Sequence, residues 1–131
     1  MINLLIAAFQ ILPCIVIVGF WIHFFKVETK NPENSEVYLA FEKTFPLPEF
    51  CWLIPCLILS AIGLITQQKY GYLFSIMAGT GLIFIGLFDI SFNIQNGVYT
   101  GEKSKCITEI IFNLFCMIFG PIFIIYGWIN L

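Results

Sequence analysis

Four stretches of this chain, residues 2–25, 50–68, 70–88 and 110–131, contain no Lys, Arg, Asp or Glu at all. A helix needs about 20 predominantly apolar residues to cross the hydrocarbon core of a bilayer, so four such runs in 131 residues set the architecture before any motif is considered. The side chains are 60% hydrophobic and 11% charged, where soluble domains average about 45–50% and about 25%. A water-soluble globule of this make-up would leave far too much apolar surface exposed. The 15 Phe, 3 Trp and 5 Tyr exclude disorder, and the same apolar excess around only 5 Cys excludes a disulfide-framed secreted miniprotein. The chain holds at most about four to five spans with short loops, which leaves no room for a second, soluble domain.

The expected fold is therefore all-α, a single membrane domain over residues 1–131 forming a four-helix transmembrane bundle, antiparallel up-down, with both termini on the same side. The spans fall at about 2–25, 49–66, 72–94 and 106–128. The first lacks the basic start and the small-residue cleavage site of a signal peptide and ends in Trp21-Ile22-His23-Phe24-Phe25, so it reads as a retained helix. Residues 26–48 form a polar loop with Lys26, Lys30 and Lys43, several Glu, and Pro32, Pro46 and Pro48 to break any regular helix. Pro48 suits a first helical turn, Pro55 and Pro121 predict bends, and Asn96-Gly97 predicts a turn between the last two spans.

The end of the bundle that carries both termini and the tight 67–70 turn is here the hairpin end, and the opposite end the loop end. One lysine, Lys69, lies at the hairpin end and five lie at the loop end, which places the loop end in the cytoplasm by the positive-inside rule. Six Glu at that same end, and Lys69 as the sole charge of the shortest turn, point the other way, so the orientation in the cell membrane stays open.

Apolar helices have no hydrophobic drive to meet one another in lipid, and their contact faces are marked by small and polar residues, spaced alternately three and four apart in a left-handed bundle. The third span gives Ser75, Gly79, Leu82, Gly86, Asp89 and Asn93 at such steps. The fourth gives Glu109, Asn113, Cys116, Gly120 and Gly127, the first Asn3, Ala7, Gln10, Cys14, Ile17 and Trp21, and the second Cys56, Ser60 and Gly63, with Glu49 one heptad earlier. His23 and Thr108 fall off the stripes. Packing alone accounts for the Gly and Ser positions.

Asp89 and Glu109 are harder to assign to packing. An Asp near the centre of a spanning helix costs about 2.5–3.5 kcal/mol on insertion scales, so such residues default to functional candidates with a named partner. Each acid has an Asn four residues later on its own helix face, Asn93 and Asn113. On antiparallel helices rising 1.5 Å per residue, Asn93 and Glu109 lie level near the membrane edge, while Asp89 and Asn113 lie level about 6 Å deeper. Two readings follow. Crossed carboxylate–amide pairs, Asp89 with Asn113 and Glu109 with Asn93, would satisfy all four groups and be purely structural. Alternatively the acids, joined by Glu49 and His23, line a polar pocket open to the loop end that takes a cation, a protonated ligand or a polar headgroup. Two carboxylates in near contact resist ionising together, which is the arrangement proton-coupled chemistry uses. An open cavity with both carboxylates in its wall would favour ligand or ion; a closed Asp89–Asn113 pair would favour packing.

The five Cys read as small packing residues. Cys51 and Cys56 are spaced C-x4-C, no C-x-x-C occurs, and a Cys51–Cys106 disulfide is expected only if the loop end faces an oxidising compartment. No phosphate loop, H-E-x-x-H, G-x-S-x-G or zinc pattern is present, nor any Arg. No cofactor or metal is expected, and net charge −2 without a basic stripe excludes nucleic acid as a partner. Trp21, Trp52, Trp128 and Tyr126 sit near span ends, as an interfacial belt does.

The run Phe45-Pro46-Leu47-Pro48-Glu49, the turn ending Tyr70-Gly71, the pattern Asp89-x-x-Phe92-Asn93-x-x-Asn96-Gly97-x-Tyr99 and the later Glu109 resemble a family of small, uncharacterised four-span integral membrane proteins of prokaryotes. The resemblance covers most of the chain, carries no activity with it, and implies that Asp89, Asn93, Tyr99 and Glu109 belong together. Small multidrug transporters place a Glu in the middle of the first helix, where this chain has no acid; vitamin K epoxide reductase-like enzymes use a membrane C-x-x-C, which it lacks. The functional expectation is a non-enzymatic membrane protein binding a small ligand, ion or lipid headgroup at a polar cluster between helices, as a homo-oligomer or beside a membrane protein partner. The alternatives are a proton- or cation-coupled transporter acting as an oligomer, and a membrane thiol-redox enzyme.

Overall fold

The computed structural model describes residues 1–131. It is all-helical: α1 (Ile2–Lys26), α2 (Glu36–Glu42), the single turn α3 (Pro46–Pro48), α4 (Ile54–Ile65), α5 (Lys69–Gln95) and α6 (Lys103–Asn130), with 3-10 turns at Glu28–Lys30 and Val98–Thr100. Four segments, Ile2–Lys30, Glu36–Ile65, Lys69–Gln95 and Lys103–Asn130, are long and apolar enough to span a membrane, as a multi-pass membrane protein requires. Leu5, Ile15, Phe84, Phe88, Ile118 and Ile125 are among the large apolar side chains that point outward.

Packing follows chain order: α1 lies on α4, α4 on α5 and α5 on α6, while α1 and α6 have little direct contact. At the hairpin end Asn3 ties the four helices together. Its Nδ2 donates to the Leu64 carbonyl at 3.2 Å and to the Tyr72 hydroxyl at 3.2 Å, and its Oδ1 accepts from the Tyr126 hydroxyl. The start of α1 thus meets the end of α4, the start of α5 and the end of α6. Glycine makes the closest approaches. A Cβ on Gly63 would stand 2.4 Å from the Gly71 Cα, and one on Gly79 would stand 2.4 Å from the Gly120 carbonyl oxygen.

The α4–α5 turn closes with two bonds, Gln68 N–H to Gly63 O at 2.8 Å and Gln67 N–H to Leu64 O at 3.3 Å, the Schellman pattern in which the first residue past the helix is left-handed. Gln67 takes that conformation at φ 57, a position usually given to Gly. Gly97 has φ 67, so the Asn96-Gly97 turn forms as its residues predict.

Every member of the four stripes is buried except Asn3, which is half-buried. Residues 26–48 differ from the irregular loop expected of them. Ser35 caps α2, its Oγ accepting from the Tyr38 N–H at 3.1 Å, and the chain then passes through α3 into a π-helical turn, Glu49–Leu53, that leads into α4. The prolines do not break this path, because Pro46 and Pro48 both stand in the first turn of a helix, where a missing N–H costs no intrahelical bond, and Pro55 follows directly on the π turn. In the π turn the Ile54 N–H reaches back five residues to the Glu49 carbonyl.

Candidate functional site

Between α1 and α6, in the half of the bundle nearer the loop end, lies a cavity of about 380 Å³. Volumes of this order hold small organic ligands. Leu12, Val16, Phe20 and Trp21 line it from α1, and Thr108, Ile111, Phe112 and Phe115 from α6. Four carboxylic acids share this largely apolar wall: Glu42, Glu49, Asp89 and Glu109. Each is buried.

Local structure explains how each acid arrives there. Asp89 and Glu109 stand on the contact stripes of α5 and α6, the most extensively packed pair of helices. Glu49 opens the π turn, and its Oε2 accepts from Trp21 Nε1 at 2.8 Å. Glu42 ends α2, which folds back over the bundle because Phe41 stacks on Phe92, with ring centroids 3.9 Å apart and planes 3° from parallel. Lys105 Nζ, 3.9 Å above the Tyr38 ring and bonded to Asn34 Oδ1, fastens the same short helix to the start of α6.

One carboxylate oxygen from each of Glu42, Asp89 and Glu109 lies within 4.8 Å of the others. Asn93 bridges two of them, its Nδ2 donating to Glu109 Oε2 at 3.1 Å and lying 3.5 Å from Asp89 Oδ2. Oxygen-only donors of this kind are what hard cations take. No lysine comes within 4 Å of any of the four acids, and the one ion pair in the protein is His23 with Glu28 at 3.5 Å. Three buried oxygens at this end, Glu42 Oε1, Asn93 Oδ1 and Asn113 Oδ1, have no hydrogen-bond partner.

Of the crossed pairs, only Glu109 with Asn93 forms. Asn113 Nδ2 donates instead to the Tyr99 hydroxyl, because the Val98–Thr100 turn brings Tyr99 over the start of α6, and Asp89 is left facing the cavity. Tyr99 therefore supports Asn113 from outside the cavity wall. His23 is a correction: its side chain is 58% exposed and paired with Glu28, since its position off the α1 stripe turns it outward. Glu42 was not expected at the site. The signal lay in the spacing Tyr38, Glu42, Phe45, Glu49, steps of four, three and four that continue the second stripe toward the N-terminus.

Toward the hairpin end the bundle is closed by polar links and rings. Gln10 Nε2 donates to Ser75 Oγ at 3.2 Å, and that hydroxyl donates to the Phe123 carbonyl at 2.8 Å. Phe9 and Phe119 meet at 4.9 Å between centroids. All five cysteines are free; Cys51 is exposed, and Cys106 donates its S–H to the Tyr99 carbonyl at 2.9 Å, so the two thiols considered for a bridge remain apart.

Comparison with protein-family models, curated proteins and solved structures finds no match to this chain.

Proposed function

We propose that this chain is a multi-pass protein of the cell membrane that binds, without transforming it, a small ligand bearing a cationic group, held against Glu42, Asp89 and Glu109 with its apolar part in the cavity. The observation that carries the reading is the set of four buried acids without a basic partner within 4 Å. Buried Asp and Glu are rarely left unpaired, and an intramembrane carboxylate defaults to a functional role. Protons or an incoming cation have to supply what the protein does not. The apolar wall and the Trp21, Phe20 and Phe112 rings favour a cation with an organic body over a bare ion.

A second reading is transport by an oligomer of this chain or within a membrane complex. It is favoured by the closeness of the Glu42, Asp89 and Glu109 oxygens, for which a proton and a cation would compete.

Benzylammonium, an aromatic body with one charge, is a suitable probe, with benzyl alcohol as its neutral control. Saturating benzylammonium should raise the melting temperature of the detergent-solubilised protein, by the equivalent of about 2.7 kcal/mol at a hundred times its Kd. His23→Ala should respond as the unaltered protein does, and the D89N/E109Q double variant should not respond. An equal response to benzyl alcohol, or a folded D89N/E109Q protein that responds fully to benzylammonium, overturns the reading.

A further inference from the structure

The cavity is not sealed from the side of the bundle. Leu12, Val16 and Ile111 line it and are nevertheless 50%, 54% and 64% exposed on the outer surface. They stand on the two helices with the sparsest mutual packing, which meet toward the hairpin end at Phe9–Phe119 and Asn3–Tyr126, while the neighbouring pairs α1–α4, α4–α5 and α5–α6 are all closed. From Leu12 to Phe20 the α1 side of this seam spans about 12 Å, ending toward the hairpin end at the Phe9–Phe119 contact. At the loop end, α2 and its Phe41–Phe92 stack lie across the bundle. The open side of the cavity thus looks into the apolar layer surrounding the helices.

We infer that the ligand is an amphiphilic amine dissolved in the membrane, which reaches the four acids laterally between α1 and α6 with its ammonium group inward and its hydrocarbon tail left in the seam. The inference rests on the acid-site reading above and adds the chemical class and the route. Charge complementarity selects the head, since Glu42, Asp89 and Glu109 have no other cation within 4 Å. The unpartnered Glu42 Oε1, on a residue 4% exposed, supplies one acceptor for the ammonium hydrogens. The seam selects the tail: every residue on the α1 side of the wall, Trp21 included, is apolar or aromatic, and Thr108 is the single hydroxyl on the α6 side.

The test uses the full chain in phosphatidylcholine nanodiscs. Trp52→Phe and Trp128→Phe, both at exposed positions, leave Trp21 as the sole indole. Trp21 bonds to Glu49 inside the cavity, so its emission reports an occupant. Dodecylamine should change that emission saturably, at a total concentration at least about tenfold lower than ethylamine requires, because the longer chain concentrates in lipid. Dodecanol, with the same tail and no charge, should leave it unchanged. Filling the seam with V16F/I111F should raise the half-saturating dodecylamine concentration about tenfold or more, and D89N/E109Q should abolish the response. If ethylamine acts at the same concentration as dodecylamine and V16F/I111F has no effect, the lateral route and the amphiphile fail while the acid site stands. If D89N/E109Q responds to both amines like the unaltered protein, the acid-site reading fails and this inference with it. A dodecanol response equal to that of dodecylamine overturns the inference as well. Should V16F/I111F not fold, the comparison of the two amines decides without it.

Discussion

Gly79→Ala measures how closely α5 and α6 are held. The added methyl would stand 2.4 Å from the Gly120 carbonyl oxygen, 2.8 Å from Ile124 Cγ1 and 3.1 Å from the Ile124 nitrogen. Two of these neighbours are backbone, so no change of rotamer relieves the clash. The helices have to part by roughly 1 Å to restore an ordinary contact near 3.5 Å. Overpacking of this kind costs about 1–3 kcal/mol. One turn away on the same seam, the Ser75 hydroxyl bonds to the Phe123 carbonyl at 2.8 Å, and stretching an interhelical bond in a membrane loses about 0.6 kcal/mol more. Against this, Ala is the better helix former by about 0.8–1 kcal/mol. The net destabilisation is about 1–3 kcal/mol. Gly19→Ala is the control, because nothing lies within 4 Å of a Cβ there; only propensity acts, and the variant should gain up to about 1 kcal/mol. Unfolding in mixed micelles by increasing SDS, followed by far-UV circular dichroism, should separate the two variants by about 1–4 kcal/mol, in opposite directions from the parent. Equal stability of Gly79→Ala and Gly19→Ala would refute the close α5–α6 approach.

Ser75→Ala breaks the relay from Gln10 to the Phe123 carbonyl and leaves a buried amide without a partner, so it should destabilise by about 1–2 kcal/mol, whereas the Q10L/S75A pair should recover most of that loss in the same SDS titration. Gln67→Gly relieves a left-handed residue at φ 57 and should raise stability by about 1 kcal/mol, with Gln67→Ala giving no gain. Replacing all five Cys by Ala or Ser should preserve the helical spectrum, and in the parent maleimide should label exposed Cys51 well before buried Cys14, Cys56 and Cys116, as read by mass spectrometry. Reporter fusions at Leu131 and within residues 31–35 should report opposite sides of the membrane; identical readings would remove the four-span topology.

The fold was legible because helices long and apolar enough to span a membrane leave only a few residue types to mark their contacts. With Ile, Leu and Phe free to face outward, the small and polar residues had to mark the contacts, and from Ala7 to Gly127 those stripes are buried. Residues 26–48 depart from the loop their composition predicts for a related reason. Prolines and charges predict an irregular, solvated loop, but Pro46 and Pro48 sit in a first helical turn, where helices tolerate them. Spacing carried the contrary signal. Tyr38, Glu42, Phe45, Glu49, Leu53, Cys56, Ser60 and Gly63 follow at steps of three or four and are all buried, so one face continues through the π turn without losing register.

The acids divide along the same physical line. Asp89, Glu109 and Glu49 could be placed because each stands on a stripe, and the level of Asn93 with Glu109 follows from helical rise alone, giving the 3.1 Å bond. The partner of Asn113 could not be read, because it depends on how a three-residue 3-10 turn carries Tyr99 over α6. That local detail decides the chemistry. Had Asn113 paired with Asp89, the polar groups of α5 and α6 would have been mutually satisfied, with little left to attract a ligand. With Tyr99 taking the amide, Asp89 turns to Glu109 and Glu42, and three acid groups gather within 4.8 Å. Packing alone gains nothing from such a gathering, since like charges there oppose one another at low dielectric. The cation proposed above, or shared protons, would complete it.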